Sequence, residues 1–436
     1  MARPGFPEAR LGLLLACLAP PASAGELGAR LDAEAWWGAR TSDGAVSLAR
    51  LSAMPSIRPT LADGISLDLR LRLEFAPDRT GLGTRDSYAP WSRPLLLTEA
   101  GRLELDRAVV QFRSGPTRLT LGKQALAWGV LDGVQVTDRF DAVRRRDWVA
   151  TDVRPERIGR WAVRLETEVG GLRVDGAFAP DPTVNQQAVA GDAFAVVAPR
   201  FRAGLPPDAP TLSTVVDPRT RALADATYGL RLTGTVGRLD ATALVMRGPE
   251  ADPLFLPGLA DGRPAIRLAF PRRTVVGGSL VLPAGATVWR LEAAHIPDQP
   301  LNLDALATGG LEAVRRPRTI AGLGMDWQAP ARLFVNAQLI VDHVDRGGRA
   351  LARPDTDVIA TLRVHRDLAG DTVRLRAEIL ADLGRGDALL RPAIQWKVDD
   401  RFTVSGGADL FTGTREGVFG QFRRESRLWL KLASSF

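Results

Sequence analysis

The stretch GISLDLRLRLEF, residues 64–75, alternates strictly between apolar and polar side chains. The apolar residues hold the odd positions from Ile65 to Phe75, and the charged residues hold the even positions from Asp68 to Glu74. Successive side chains of a strand point to opposite faces, so the pattern predicts a strand with one apolar and one charged face. At about 11 residues this strand is roughly twice as long as most strands of soluble sheets.

The same alternation recurs along the chain, and helical periodicity is nowhere sustained. Further candidate strands lie near 31–40, 45–54, 102–113, 118–128, 160–169, 171–179, 224–236, 238–247, 272–282, 286–295, 317–327, 331–343, 356–367, 373–382, 388–398, 402–411 and 426–436. Tight turns alternate with long loops rich in Pro and Gly, near 129–157, 180–222, 248–271 and 296–316. Short periplasmic turns and long extracellular loops are typical of outer-membrane β-barrels.

The number of strands follows from the alternation of turns and loops. Counting back from the C-terminus gives 17 strands without the weak segment AVSLARLSAM, residues 45–54, and 18 with it. Bacterial single-chain barrels have even numbers of strands. We therefore predict an all-β fold, a transmembrane antiparallel β-barrel of about 18 strands, with 16 as the alternative. An exported β-sandwich would also alternate, but so many long strands exceed what an open sheet usually carries.

The N-terminus has the composition of an export signal. Arg3 and Arg10 precede the apolar run LGLLLACLAP, and Ala22 and Ala24 form a small-x-small cleavage pattern before Gly25. We predict that residues 1–24 are a signal peptide and that 25–436 form a single barrel domain in the outer membrane of a gram-negative bacterium. The rival interpretation is lipidation of Cys17, the only cysteine. No stretch of the remaining chain has the 18 or more apolar residues of a transmembrane helix.

The chain ends with SRLWLKLASSF, residues 426–436, which again alternates. A terminal strand ending in an aromatic residue resembles the signature that the barrel-assembly machinery recognises in gram-negative barrels. The resemblance implies that Phe436 is an assembly signal, although Ser434 stands where that signature is usually apolar. The expected partners are therefore the assembly machinery and the lipid of the outer membrane.

One segment departs from simple alternation. Within RLTLGKQALAWGVLDGVQVTD the residues Gly122, Lys123, Gln124, Trp128 and Gly129 are followed by Asp132 and Asp138. This segment resembles a family of gram-negative outer-membrane barrels of unassigned function, marked by G-[RK]-Q-x-x-x-W-G and an Asp-bearing loop. A looser likeness is to porins of the alginate-export type. The resemblance implies a barrel with a solute pathway and no assigned chemistry.

The charges predict a polar lumen. Lys and Arg total 57 against 50 Asp and Glu, for a net charge of +7, but acids and bases are interleaved, which argues against nucleic-acid binding. The expected lumen wall includes Arg70, Arg72, Arg164, Arg231, Arg374, Arg376 and Glu378. Loop 129–157 is expected to fold inward and form a pore constriction with Asp132, Asp138, Arg139, Arg144, Arg145, Arg146 and Asp147. Its bases and acids are equal in number, while the wall carries a small excess of bases, which favours polar or anionic solutes.

Two functions remain open from the sequence. The first is a passive, porin-like channel for small polar or anionic solutes, and the second is a non-conducting structural or docking barrel for a periplasmic or surface complex. No Ser beside a His, no His pair at metal spacing and no phosphate loop occurs among the motifs, so we expect neither an enzyme, a metal site nor a cofactor. The solute itself is not specified by any motif.

Overall fold

The computed structural model describes residues 28–76, 85–145, 156–188, 192–209 and 212–436. The predicted signal peptide and two predicted constriction residues, Arg146 and Asp147, lie outside this part of the chain. Eighteen long strands form the barrel: β1 Arg30–Arg40, β2 Val46–Ile57, β3 Ile65–Phe75, β4 Gly101–Ser114, β5 Thr117–Gln124, β6 Arg160–Val169, β7 Leu172–Ala179, β8 Thr227–Val236, β9 Leu239–Pro249, β10 Arg272–Ala284, β11 Thr287–Asn302, β12 Ala313–Ala329, β13 Leu333–Val344, β14 Thr356–Leu368, β15 Val373–Asp382, β16 Asp387–Lys397, β17 Phe402–Thr412 and β18 Arg427–Ser435.

Each strand pairs antiparallel with its neighbours in sequence, and the first strand closes the sheet by pairing with the last. At this seam Asp32 lies opposite Ser435 and Arg40 opposite Arg427. The main chain of Phe436 extends the pairing, because its N–H donates to Leu31 and its carbonyl accepts from Leu31, both at 3.0 Å. The prediction of an 18-stranded antiparallel barrel is thus confirmed, and the alternative of 16 strands is wrong.

The two faces of each strand differ in the way the alternation predicts. Leu375 and Ile394 point outward and are 43% and 50% exposed, whereas inward Glu378 and Arg391 are 2% and 5% exposed. The outward face therefore forms an apolar band, and the inward face carries most of the charge. An apolar face in contact with solvent would be unfavourable, which is the physical reason that such a band lies against lipid.

The connections are unequal at the two ends of the barrel. At one end, here the short-turn end, strands join through tight turns such as Gly170-Gly171, where both glycines have positive φ. The opposite, long-loop end carries the connections 76–100, 125–159, 180–226, 250–271 and 413–426. Contrary to a strict division, two connections at that end are also short, 41–45 and 383–386.

Short strands and one helical turn lie in the connections between the long strands, most of them at the long-loop end. Strands Thr214–Val216, Arg263–Ala269 and Leu254–Ala260 form a small sheet, and Ala142–Arg144 pairs with Glu156–Ile158. The remaining short strands are Thr60–Ala62 and Leu96–Leu97, and the one α-helical turn among the described residues is Ala305–Thr308. None of the helices that the structure describes is long and apolar enough to cross a membrane.

Candidate functional site

The motif begins where β5 leaves the barrel wall. Gly122 has φ of +125°, and a Cβ there would overlap the carbonyl oxygen of Ala108, so this backbone position requires glycine. Gln124 is buried and its amide nitrogen donates to the carbonyls of Thr120 (3.3 Å) and Ala162 (3.1 Å). The strand ends at Gln124 rather than at residue 128 as the sequence suggested, and the chain that follows packs Leu126 and Trp128 against the inner wall.

The described parts of the chain that follows, residues 125–145 and 156–159, are here called the inward loop. Leu126, Trp128, Val136 and Phe140 form an apolar cluster with the inner wall of β6 to β13. The wall contributes inward residues from these strands: Ala162, Ala177, Ala179, Leu244, Met246, Val275, Ala294, Ile296, Ile320 and Ile340. Burial of these side chains is the main force that holds the loop inside the barrel.

Trp128 is the centre of this contact. It is 1% exposed, its ring lies 5.1 Å from that of Phe140, and its indole N–H donates to Asp175 Oδ2 on β7 at 3.0 Å. A Cβ on Gly229 of β8 would stand 2.7 Å from the indole ring, so the wall is kept small there. The motif tryptophan therefore binds the inward loop to the wall, and its polar edge is satisfied by a buried carboxylate.

Glu292 on β11 holds the far side of the same loop. Its Oε2 accepts from the backbone N–H groups of Val130 and Leu131, each at 2.9 Å, and its Oε1 accepts from the N–H of Thr137 at 2.7 Å. The hydroxyl of Thr137 also donates to Oε1. A carboxylate that is 1% exposed and accepts four hydrogen bonds fixes the loop at one height on the wall.

Two aspartates of the inward loop bond to other residues of the same loop and so hold its two ends together. Asp138 accepts from the N–H of Trp128 at 3.2 Å and pairs with Arg157, and Asp141 accepts from the N–H of Leu126. Burial raises the pKa of Asp141 to about 7. Burial, together with the positive charges of two wall arginines, lowers the pKa of Arg139 to about 9.

Arg144 does not line an open passage, which corrects the sequence-based assignment. It is 1% exposed and donates to Glu104 (2.7 Å), to the Tyr88 hydroxyl (2.7 Å) and to Gln186 (3.3 Å). Burial opposes its charge, but Glu104 and Tyr88 outweigh that effect, so the pKa of Arg144 lies well above its ordinary value. Asp138, at 8% exposure, is likewise part of the packed root of the loop rather than of a surface.

Other residues of the inward loop than Arg144 and Asp138 keep contact with solvent. Residues 131–135 and Arg139 are half-buried, and so is Arg145, which pairs with Asp252 at 3.0 Å. Among the predicted constriction residues within the described ranges, Asp132, Arg139 and Arg145 therefore hold the more accessible positions. The sequence shows that this loop carries charged residues, but it does not show which of them are buried in ion pairs.

The predicted wall residues all occur on inward strand positions: Arg70, Arg72, Arg164, Arg231, Arg374, Arg376 and Glu378. Most of those on the wall pair with acids across strands. Asp175 accepts from Arg164 at 2.7 Å and from Arg231 at 2.9 Å, while Asp106 pairs with Arg70 at 2.6 Å. The wall is therefore a polar surface with locally balanced charge and partly exposed cations.

At the short-turn end the polar surface opens into a cavity of about 420 Å³. Its charged lining residues are Arg113, Arg118, Glu166, Glu168 and Arg173. Thr117 and Thr167 bridge the two adjoining strand ends through their hydroxyls at 2.9 Å. The inner surface of the barrel is therefore hydrophilic at this end.

A second loop enters the barrel, and sequence reasoning did not single it out. The connection 180–226, here called the crossing loop, leaves β7 and reaches strands β16 to β18, half of the circumference away. Phe194 packs there against Leu389, Phe411 and Phe422. The backbone N–H groups of residues 197 and 198 donate to the Gln421 side chain at 2.9 and 3.0 Å. In the sequence of this loop, only the aromatic residues indicate that part of it is buried.

An arginine of the crossing loop completes this attachment. Arg200 pairs with Asp357 on β14 at 2.6 Å and with Asp382 on β15 at 3.4 Å. Arg353 approaches Asp357 from the other side at 2.6 Å. The crossing loop is thus held by ions as well as by aromatic side chains, and it covers part of the long-loop end.

The three histidines do not form a reactive group with one another. His295 and His343 lie on the outward face and each contacts a threonine hydroxyl at 2.9 Å, while His365 stacks on Phe334 at 4.8 Å. Within the described ranges, no group of three or more His, Cys, Asp or Glu side chains could hold a metal ion.

Comparison with known proteins yields matches in structure but not in sequence. No family model matches the chain, and no curated protein is similar to it in sequence. The fold is similar to that of Acinetobacter baumannii OccAB2, with a TM-score of 0.51, 10% identity, and 94% of this chain and 97% of that chain covered. OccAB1 from the same organism matches with a TM-score of 0.50 and 8% identity over 94% and 95% of the two chains. These similarities show the fold alone, that of a closed antiparallel β-barrel.

Proposed function

We propose that the protein is an outer-membrane channel through which small polar or anionic solutes pass passively. The observation that carries this proposal is the charged inward face of an 18-stranded barrel. Barrels of about this many strands are too wide to be filled by wall side chains alone and usually enclose an aqueous channel. In this assignment the long-loop end is extracellular and the short-turn end periplasmic, and the likeness of residues 122–129 to barrels of unassigned function remains a prediction.

The inward loop would form the constriction. It is fastened along β6 to β13, so a solute would pass between its half-buried residues 131–135 and the opposite, more charged wall. Cations with partial exposure on that opposite wall include Arg70, Arg363 and Lys431, with side chains 37%, 23% and 23% exposed. Exposed cations in a narrow, low-dielectric channel raise the local concentration of anions. Weak anion selectivity follows.

Planar-bilayer recording of the purified protein tests this function. We expect discrete conductance steps and, in a potassium chloride gradient, a reversal potential of the sign given by chloride permeation. Replacing the inward Arg363 with Gln should shift that potential toward cation permeation. The matched control is R366Q, three residues away on the outward face of the same strand, which should leave the potential unchanged.

A second function is favoured by the crossing loop. Because this loop spans the long-loop end and is ion-paired to β14 and β15, it could close the barrel, as a structural or docking protein would allow. A wild-type protein without conductance, and a variant lacking residues 192–209 that conducts, would favour this docking function. Conductance in both proteins favours the channel. Neither function assigns a reaction or a cofactor to the chain, and insertion by the barrel-assembly machinery is part of both.

A further inference from the structure

Five inward side chains form a row across five adjacent strands, β14 to β18. Their charges alternate, in the order Arg363, Glu378, Arg391, Asp409 and Arg427. In the strand register Arg363 lies opposite Glu378, Glu378 opposite Arg391 and Asp409 opposite Arg427, and Arg391 forms an ion pair with Asp409. Successive charged atoms are separated by 3.7, 3.4, 3.0 and 2.9 Å. Because the row contains three cations and two anions, it has one positive charge in excess.

The excess charge lies at the β18 end of the row. Arg427 is fully buried, and only its Nε donates to Asp409, at 2.9 Å. Neither of its terminal nitrogens, Nη1 and Nη2, has a hydrogen-bond partner among the described residues. Asp409 accepts from Arg391 Nε with one oxygen and from Arg427 Nε with the other, and it forms no bond with Nη1 or Nη2 of Arg427. Four N–H groups of a buried cation are thus left to find an acceptor, which is strongly unfavourable without one.

A second buried donor lies two residues further along the same strand. Trp429 follows on the same inward face of β18, is 6% exposed, and its indole N–H has no partner among the described residues. Indole is a donor that cannot accept a hydrogen bond. Donors from both side chains therefore occur in one part of the wall with no acceptor assigned to them.

The groups around Arg427 favour a bound anion as the acceptor for these donors. Arg391 and Arg50 both lie near enough to Arg427 to repel its charge. On the side of the crossing loop, the ring of Phe194 covers the guanidinium at 4.9 Å from its centroid. Since Phe194 is 5% exposed within an aromatic cluster, this cover limits access of bulk water to the site.

We propose that Arg427 and Trp429 form a binding site for one small monovalent anion, beneath Phe194 on the lumen wall. A halide or a carboxylate group satisfies the same donors, because the forked guanidinium offers two parallel N–H groups and the indole offers a third. One negative charge balances the excess charge of the row. The site does not depend on conductance, so it goes beyond the proposed channel function.

The test compares anions in solution. The unfolding temperature of the purified protein in detergent is measured against increasing sodium bromide or sodium formate, with sodium gluconate, a larger anion, at equal ionic strength. We expect a saturable increase with bromide and with formate but not with gluconate. Crystals containing bromide should show its anomalous signal beside the Arg427 Nη atoms, and loss of that signal on adding formate would show that a carboxylate occupies the same site.

Two variants identify the donors. R427Q should abolish the saturable increase, and W429F, which keeps the charge and most of the packing, should weaken apparent bromide affinity between about twofold and tenfold, the effect of one hydrogen bond. R366Q, on the outward face of β14, is the matched control, because it removes an arginine outside the row, and it should bind as the wild type does. If R427Q does not fold, W429F and the anomalous signal decide. The absence of a saturable increase in the wild type, or an unchanged affinity in W429F together with bromide located elsewhere, would overturn the proposal.

A non-conducting protein that still binds bromide at Arg427 would refute the channel and leave the anion site standing. A conducting protein without saturable bromide binding would do the reverse. The two proposals therefore fail separately.

Discussion

Replacing Glu292 with Ala should release the inward loop from the wall without destroying the barrel. The carboxylate accepts from Val130, Leu131 and Thr137, and it is 1% exposed, so its loss leaves four donors without their acceptor. A hydrogen bond to a charged group contributes ~1.5–3 kcal/mol. Because the four bonds share one carboxylate and water can replace part of them, we expect the loop attachment to weaken by about 3–5 kcal/mol in total.

A change of ~3 kcal/mol alters the ratio of attached to detached loop by more than a hundredfold. The packing of Trp128 and Phe140 remains in the variant, so the loop should fluctuate rather than leave the lumen. Single-channel recordings should then show frequent transitions between current levels, where the wild type shows one steady level. Limited proteolysis in detergent gives a second readout that does not require conduction, and the variant should be cleaved faster within 125–159.

Glu378→Ala is the control, because Glu378 is also an inward, buried carboxylate but pairs with wall arginines at 3.4 and 3.7 Å. It should reduce barrel stability without changing current noise or cleavage of the loop. If Glu292→Ala shows the same noise and the same cleavage rate as the wild type, Glu292 does not hold the loop and the reasoning is refuted.

Three further predictions concern the wall, the seam and pH. Leu375→Arg should destabilise the protein by about 2–4 kcal/mol in a lipid folding titration if its strand face meets the bilayer midplane, whereas inward Gln395→Arg should be tolerated; equal effects would contradict the assignment of faces. Phe436→Asp should allow synthesis and export but reduce the heat-modifiable, membrane-inserted form, and normal levels of that form would count against an assembly role. Because the pKa of Asp141 is raised to about 7 in the folded protein from 3.8, its stabilisation is complete below 3.8 and is lost as pH rises through 7. Asp141→Asn should therefore flatten the dependence of unfolding temperature on pH between about 5 and 8, and an unchanged dependence would exclude this group as its cause.

The wall of the barrel could be predicted from the amino-acid sequence. Alternation in stretches such as Ile65–Phe75 identifies both faces of a strand because the side-chain period of two is a local property of the backbone. The closing strand Arg427–Ser435 and even the weak Val46–Ile57 could be counted for the same reason. Inward positions such as Arg231 and Arg376 follow directly from that period.

The segments that fill the lumen could not be predicted from the sequence. Leu244, Ile320 and Ile340 occupy inward positions, and nothing in their own strands shows that the inward loop covers them. Whether Arg144 lines a passage depends on Glu104, forty residues away, whose position relative to the loop is fixed by the closed barrel. Likewise, Phe194 meets Arg427 only because the crossing loop reaches half of the circumference from β7. Such contacts join residues far apart in the chain, and their energies depend on the closed shape of the barrel rather than on any local pattern.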